Sequence, residues 1–303
     1  MHFPALIKEV GRGARGARDL DPERAQALFG AMLDGAVPEM ELGALLLAYR
    51  IKGESPAEMA AFMAAMQART VQVAAPAGGP RCVLLPTYNG ARKQPNLMPL
   101  VALLLARDGV PVLIHGRHDF DSRTSPFELL AALDLCTATG VEAAAADLAS
   151  RQLAVLPLAV LNPGLDALLA LRLRLGVRNS GHALAKLLDP CPGRSVRVVA
   201  VTHPPYLDSM QALLEHAGAT ALLMRGTEGE AYAAPRRRPR LLGFRDGVAE
   251  VLHEQAQGEE VAGDAGCAVD ENAALIRSML GGRVPVPQPV LDQVMALKAL
   301  AGR

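Results

Sequence analysis

The sequence predicts an α/β protein, with a small all-helical domain at the N-terminal side and a larger domain built on a mainly parallel sheet with helices on both faces. Three observations carry this. Residues 1 to about 70 show only helical periodicity, residues 70–80 break it with Pro and Gly, and from Cys82 onward short β-branched runs alternate with helical stretches. The expected division is a helical domain over 1–75 and an α/β domain over 76–303.

In the first segment, Asp21 followed by Pro22 reads as an N-cap with proline at the first helical position. Ala25, Leu28, Phe29, Met32 and Leu33 then make one apolar stripe, and Gly35 ends it. Leu42, Leu45, Leu46 and Tyr49 repeat the pattern up to Gly53. Ser55 and Glu58 have capping-box spacing ahead of Met59, Phe62, Met63 and Met66. The stretch TVQVAAPAGGP at 70–80 is the expected connection between domains. Beyond it, CVLLP, VPVLI, SVRVVAVT and TALLM read as strands. Helices are expected at 96–107, 126–133, 207–216, 271–280 and 289–300.

Half of the residues are hydrophobic, and 31 Lys+Arg balance 31 Asp+Glu, which excludes a disordered chain. The longest apolar runs, 153–161 and 167–171, are too short to cross a bilayer, and the first residues lack an apolar leader core, so a cytoplasmic protein without membrane contact is expected. Only 3% of residues are aromatic and Trp is absent, so base stacking is not the obvious chemistry. The cysteines at 82, 136, 191 and 267 show no CxxC spacing and are expected to be small core residues kept reduced.

Zero net charge hides an uneven distribution: 26 of the basic residues are Arg and 5 are Lys. Arg172, Arg174, Arg178 and Lys186 form one group, and Arg236, Arg237, Arg238 and Arg240 another. The segment 254–271 holds six acidic residues and no Lys or Arg, and reads as a solvated surface stretch.

Gly11 to Gly16 matches GxGxxG, but a helical pattern precedes it where a dinucleotide site needs a strand, so an Arg-bearing turn is expected. HGRHDFD at 115–121 gathers two His and two Asp, yet no second cluster supplies further ligands. Crevice lining at the end of a strand is the better reading, and no metal is expected. PTYNGARKQPNLM at 86–98 lies between a strand and a helix, a position where backbone N–H groups face an anion. Arg92 and Lys93 add two charges there.

AYRIKGES at 48–55, IHG at 114–116 and RLRLGVR at 172–178 resemble anthranilate phosphoribosyltransferase over nearly the whole chain. PTYNGARKQPNL and MRGTEGE look closer to its YbiB relatives, a branch described as nucleic-acid-binding. The resemblance implies a homodimer formed through the helical domain, to which part of 160–190 is added. It also permits a check of each feature the transferase uses. Its GTGGD pyrophosphate loop falls on Pro86 to Gly90, which keeps Thr87 but loses the consecutive glycines. Its NIST segment falls on Asn96 to Pro99, where the hydroxyls become a thioether and a proline, neither of which binds magnesium or donates to phosphate. Its KHGNR loop falls on Ile114 to His118, keeping His115 and Gly116. Its magnesium-holding Asp–Glu pair falls on Ala231 and Tyr232, while Arg172 matches its anthranilate-binding arginine.

The first reading is therefore a phosphoribosyltransferase-like protein without catalytic residues or cofactor. It binds DNA or RNA along the phosphate backbone, with cations from Arg92, Lys93, Arg172, Arg174, Arg178, Lys186, Arg236, Arg237, Arg238 and Arg240. Thr87, Asn89, Gly90, Asn96, His115, Gly116, Ser122 and Arg172 line a vestigial crevice. The alternative is a working magnesium-dependent phosphoribosyltransferase of altered acceptor, using His115, Ser122 and Arg172 with the metal on Glu228 or Glu230.

Overall fold

Two compact units make up the computed structural model, one of residues 1–71 and 158–188, the other of residues 72–157 and 189–303. The structure describes residues 1–13, 15–118, 122–259 and 266–302.

In chain order the elements are α1 (Phe3–Val10), α2 (Pro22–Leu33), α3 (Glu39–Lys52), α4 (Pro56–Gln67), β1 (Cys82–Thr87), α5 (Met98–Arg107), β2 (Val112–Gly116), α6 (Pro126–Ala132), α7 (Val141–Arg151), β3 (Leu153–Pro157), α8 (Leu158–Leu161), α9 (Pro163–Ala170), α10 (Arg172–Leu175), α11 (Gly181–Leu184), β4 (Ser195–Val201), α12 (Pro205–His216), β5 (Ala221–Thr227), β6 (Glu230–Ala233), β7 (Leu241–Arg245), β8 (Val248–His253), α13 (Val269–Leu280) and α14 (Gln288–Ala301).

The helical unit begins where the caps predict. Asp21 accepts from the Arg24 N–H, and Ser55 and Glu58 form the full capping box. Phe62 stacks on Phe29 at 4.6 Å and meets the edge of Tyr49 at 5.2 Å. Residues 158–188 join this unit by packing and hydrogen bonding. The Asn162 amide donates to the Met66 carbonyl and to Thr70 Oγ1, both at 3.2 Å, and Val71 N–H donates to the Leu161 carbonyl. Gly164 lies so close to the Leu33 carbonyl that a Cβ there would sit 2.0 Å from the oxygen, so only glycine fits.

In the α/β unit the described strands run in the order β3-β2-β1-β4-β5-β7-β8, with β6 paired to β5. The first five are parallel, and β6, β7 and β8 are antiparallel. Residues of β1 and β4 are buried throughout, as expected of strands covered on both faces. Val83, Leu85, Val196 and Val198 share a core with α5, α13 and α14.

The structure adds elements to the expected ones and corrects the expectation that all four cysteines are core residues. The apolar run 153–161 is a strand, Leu153–Pro157, continuing into helix α8, because β-strand residues buried on both faces show no alternation. Strands β6, β7 and β8 are additional to the expected ones. Cys136 is exposed, whereas Cys82 and Cys191 are buried and Cys267 is half-buried. Among the described residues no helix is long and apolar enough to cross a membrane.

Candidate functional site

Parallel strands of an open sheet place their ligand crevice at their C-terminal ends. Here β1 ends in Thr87, and the chain turns through Gly90, whose φ of +69° suits glycine. This turn points the N–H groups of Tyr88, Asn89 and Gly90 at one spot. The carboxylate of Glu230, 1% exposed at the start of β6, occupies that spot. Its Oε1 accepts from those three N–H groups at 3.2, 2.8 and 3.1 Å. Its Oε2 accepts from the Thr87 hydroxyl at 2.5 Å and from the Asn96 amide at 3.1 Å. Five donors around one buried carboxylate compensate its loss of water.

A second carboxylate completes the closure. Glu228 adopts a left-handed turn conformation ahead of Gly229 (φ 53° and 91°) and accepts from the N–H of Arg92 at 2.7 Å and of Lys93 at 3.1 Å. An anion loop of the kind the sequence predicts is thus present, with its donors engaged by the chain's own side chains. The side chains of Arg92 and Lys93 remain exposed.

Thr87, Asn89, Gly90 and Asn96 are accordingly brought together, around Glu230. Asn96 is further fixed by exchange of two hydrogen bonds with Asn272 of α13. His115 is buried within β2 beneath the loop, its Nδ1 3.1 Å from the Tyr88 hydroxyl. Burial lowers its pKa from 6.5 to about 3, so the ring is neutral. Gly116 has a packing role, since a Cβ there would lie 1.7 Å from the Thr87 carbonyl oxygen. Ser122 is exposed; residues 119–121 of the HGRHDFD motif lie outside the described residues. Arg172 belongs to the helical unit.

The buried imidazole makes a pH prediction. The unfolded chain takes up a proton on His115 near pH 6.5 and the folded chain does not, so the stability this group contributes is complete above 6.5 and falls as pH drops toward 3. The slope is about 1.4 kcal/mol per pH unit. Denaturant titrations from pH 7 to 4 should show this loss in the wild-type protein and a shallower one in His115→Gln. Parallel curves would contradict it.

The magnesium and diphosphate implied by the resemblance do not fit these residues. Ala231 and Tyr232 are buried without a carboxylate, and the Tyr232 hydroxyl donates to the Pro95 carbonyl at 2.8 Å. Glu228 and Glu230, the alternative metal ligands, direct their lone pairs at N–H and O–H donors.

The arginine run is less uniform than expected. Arg236 and Arg237 are exposed, but Arg238 adopts φ +39° and pairs at 2.9 Å with Asp292, which also accepts from Gln288. Asp292 is buried, so Arg238 is structural. Arg240 lies 3.7 Å from Glu254. The described part of the acidic stretch folds alongside the run, with N–H groups of Ala256 and Glu259 donating to the carbonyls of Arg238 and Pro235. Residues 260–265 lie outside the described residues. In the helical unit Arg174 pairs with Glu39 at 3.1 Å, Arg178 is exposed, and Arg172 and Lys186 are half-buried. The GxGxxG match follows helix α1, with no strand before it, and its Ala14 lies outside the described residues.

Residues 4–70 match the helical bundle domain of the glycosyl transferase family. The anthranilate phosphoribosyltransferase of Thermus thermophilus is 29% identical over 93% of this chain and 84% of its own length. A crystal structure of the Thermus thermophilus anthranilate phosphoribosyltransferase superposes with a TM-score of 0.78 at 28% identity, covering 98% of this chain and 89% of that one. The Saccharomyces cerevisiae enzyme in complex with PRPP and Mg, 14% identical, shares the fold with a TM-score of 0.74 over 98% of this chain and 87% of its own. The protein YbiB of Escherichia coli (strain K12) is 40% identical over 100% of this chain and 95% of its own length. With identity at that level along its whole length, on a fold shared with anthranilate phosphoribosyltransferase, the chain belongs to the YbiB family.

Proposed function

We propose that the protein binds nucleic acid along the phosphate backbone, with little sequence preference, and does not transfer phosphoribosyl groups. The observation that carries this is the closure of loop 88–93. Its N–H groups are spent on Glu228 and Glu230, while the side chains of Arg92 and Lys93 stand in solvent. Exposed guanidinium and ammonium groups bind phosphate but read no base. Arg236 and Arg237 add two more cations on the α/β unit.

Anisotropy titrations with two unrelated sequences, repeated over a range of salt, test the assignment. The double variant Arg92→Ala/Lys93→Ala should reduce the slope of log affinity against log salt by about 2 for both sequences. An unchanged slope would remove the loop from the interface.

The helical unit supplies a second feature. Met40, Leu47 and Ile51 on α3 are 82, 41 and 70% exposed and, with Ala44, follow a four-three-four spacing that lines one helix face. An apolar stripe of this spacing suits a second copy of the same helix, and a homodimer is the assembly we assign to it. Light scattering should show the wild-type protein at twice the monomer mass and Ile51→Glu as a monomer. A monomeric wild type would rule it out. The free thiols suit the reducing cytoplasm.

A further inference from the structure

The chain leaves the helical unit for the α/β unit at 71–72 and again at 188–189. The two segments that follow are laced together. Val73 N–H donates to the Pro190 carbonyl at 2.8 Å, and the Arg194 guanidinium donates to the carbonyls of Pro76 at 2.7 Å and Gly79 at 3.2 Å. The lacing ends on two free cysteines. Cys191 opens a turn in which its carbonyl accepts from Arg194 N–H at 3.0 Å, and the Arg194 carbonyl accepts from the N–H of Cys82, the first residue of β1, at 2.7 Å. This turn brings the side chains together, and the two thiols are hydrogen-bonded to each other. Cys82 and Cys191 are 0 and 2% exposed, but Pro192 and Gly193, which follow Cys191, stand in solvent. The hydrogen bond from Cys191, together with burial, holds the Cys82 thiol above its ordinary pKa. Cys191 is therefore the sulfur that a small solute meets first.

We infer that Cys82 and Cys191 are an oxidation site at which a hydroperoxide closes a disulfide, stapling the two connecting segments at the start of β1. The inference is independent of the nucleic-acid reading. The Cys191 thiolate, its proton lost to solvent, attacks one peroxide oxygen; the O–O bond breaks, hydroxide leaves and is protonated to water, and Cys191 becomes a sulfenic acid. The Cys82 thiol then attacks that sulfur, the S–S bond forms as the S–O bond breaks, and a second water leaves with the Cys82 proton. Two thiols lose two electrons, and hydrogen peroxide is reduced to two waters. Thiols of a reducing compartment reverse the closure, so the pair is free at rest and bridged under oxidant. The closed loop is roughly 110 residues long and contains the whole 158–188 segment of the helical unit, so the bridge restricts the unfolded chain strongly.

The test treats the full chain carrying Cys136→Ser, which removes the exposed thiol, with hydrogen peroxide in native buffer. The remaining thiols are then alkylated in denaturant, and peptides are mapped by mass spectrometry without reduction. A linked Cys82–Cys191 peptide pair should appear, with alkylation left at Cys267, and dithiothreitol should restore alkylation at both partners. Cys82→Ala and Cys191→Ala should each abolish the linked pair. The bridged protein should unfold at higher urea than the reduced one, its unfolded population at a given urea concentration lowered by about 10³-fold on chain entropy. Absence of the linked pair, its formation only after prior unfolding in urea, or a bridge that leaves the urea midpoint unchanged would overturn the inference.

Discussion

Supplied with magnesium, phosphoribosyl diphosphate and anthranilate, the protein is expected to form no phosphoribosyl anthranilate above an enzyme-free control. Enzymes accelerate their reactions by about 10⁶-fold or more, so the expected difference from a working transferase is of that order. The physical reason lies in the leaving group. Departure of diphosphate develops negative charge that must be met by preorganised donors and a metal. Here the donors at Tyr88, Asn89 and Gly90 already hold Glu230, and a second anion on the same N–H groups would face that carboxylate at close range. Product that rises with protein concentration and vanishes in Glu228→Ala would overturn this account.

Glu230→Ala is expected to destabilise the fold by about 3 to 5 kcal/mol. Removal of the carboxylate leaves three buried N–H groups, the Thr87 hydroxyl and the Asn96 amide without their acceptor, and an unsatisfied buried donor costs about 1 to 3 kcal/mol each before water or rearrangement recovers part of it. Glu230→Gln keeps one acceptor oxygen but turns an NH₂ group toward the Asn96 amide, and should cost about 1 to 3 kcal/mol. Glu228→Ala is the control. The N–H groups of Arg92 and Lys93 that it serves are at the surface, where water replaces it, so the cost there should be about 1 kcal/mol or less. Urea titrations of the three variants measure these differences. Equal stability of Glu230→Ala and Glu228→Ala would show that the buried carboxylate does not hold the loop.

Much of this architecture is legible in the sequence because it rests on local chemistry. Asp21–Pro22 and Ser55–Glu58 start helices in isolation, and the β-branched runs of β1, β2, β4 and β5 are bounded by helical patterns. The antiparallel strands are harder to read, although each hairpin carries a turn signal. Asp246–Gly247 and Glu228–Gly229 both have positive φ at two successive residues, the requirement of a tight two-residue hairpin. Those signals stand alone because β6 and β7 are short and lack clean alternation.

The loop at 86–98 is legible as an anion site from its place between strand and helix. What fills it is not, since Glu230 lies about 140 residues from the amides it binds and only the β5–β6 hairpin brings it back. Likewise, nothing near Arg238 in sequence marks it as the partner of Asp292, 54 residues away. Long-range pairing of charges is written in the topology, and sequence spacing does not reveal it.

Phosphate recognition by this protein is proposed to rest on cations outside loop 88–93, because the N–H groups inside it hold Glu228 and Glu230. The measurement that bears on it most directly is the affinity for mixed-sequence nucleic acid at about 50 and 200 mM salt. Arg174, Arg238 and Arg240 are engaged by Glu39, Asp292 and Glu254, and the α/β unit offers Arg92, Lys93, Arg236 and Arg237. Four phosphate contacts give a slope of about −3.6 and a loss of roughly 10²-fold between those salt concentrations, more if Arg172, Arg178 and Lys186 of the helical unit also engage. The prediction is binding at the lower salt that weakens by at least that factor at the higher and is alike for unrelated sequences. Absence of binding at the lower salt, or an affinity indifferent to salt, would contradict it.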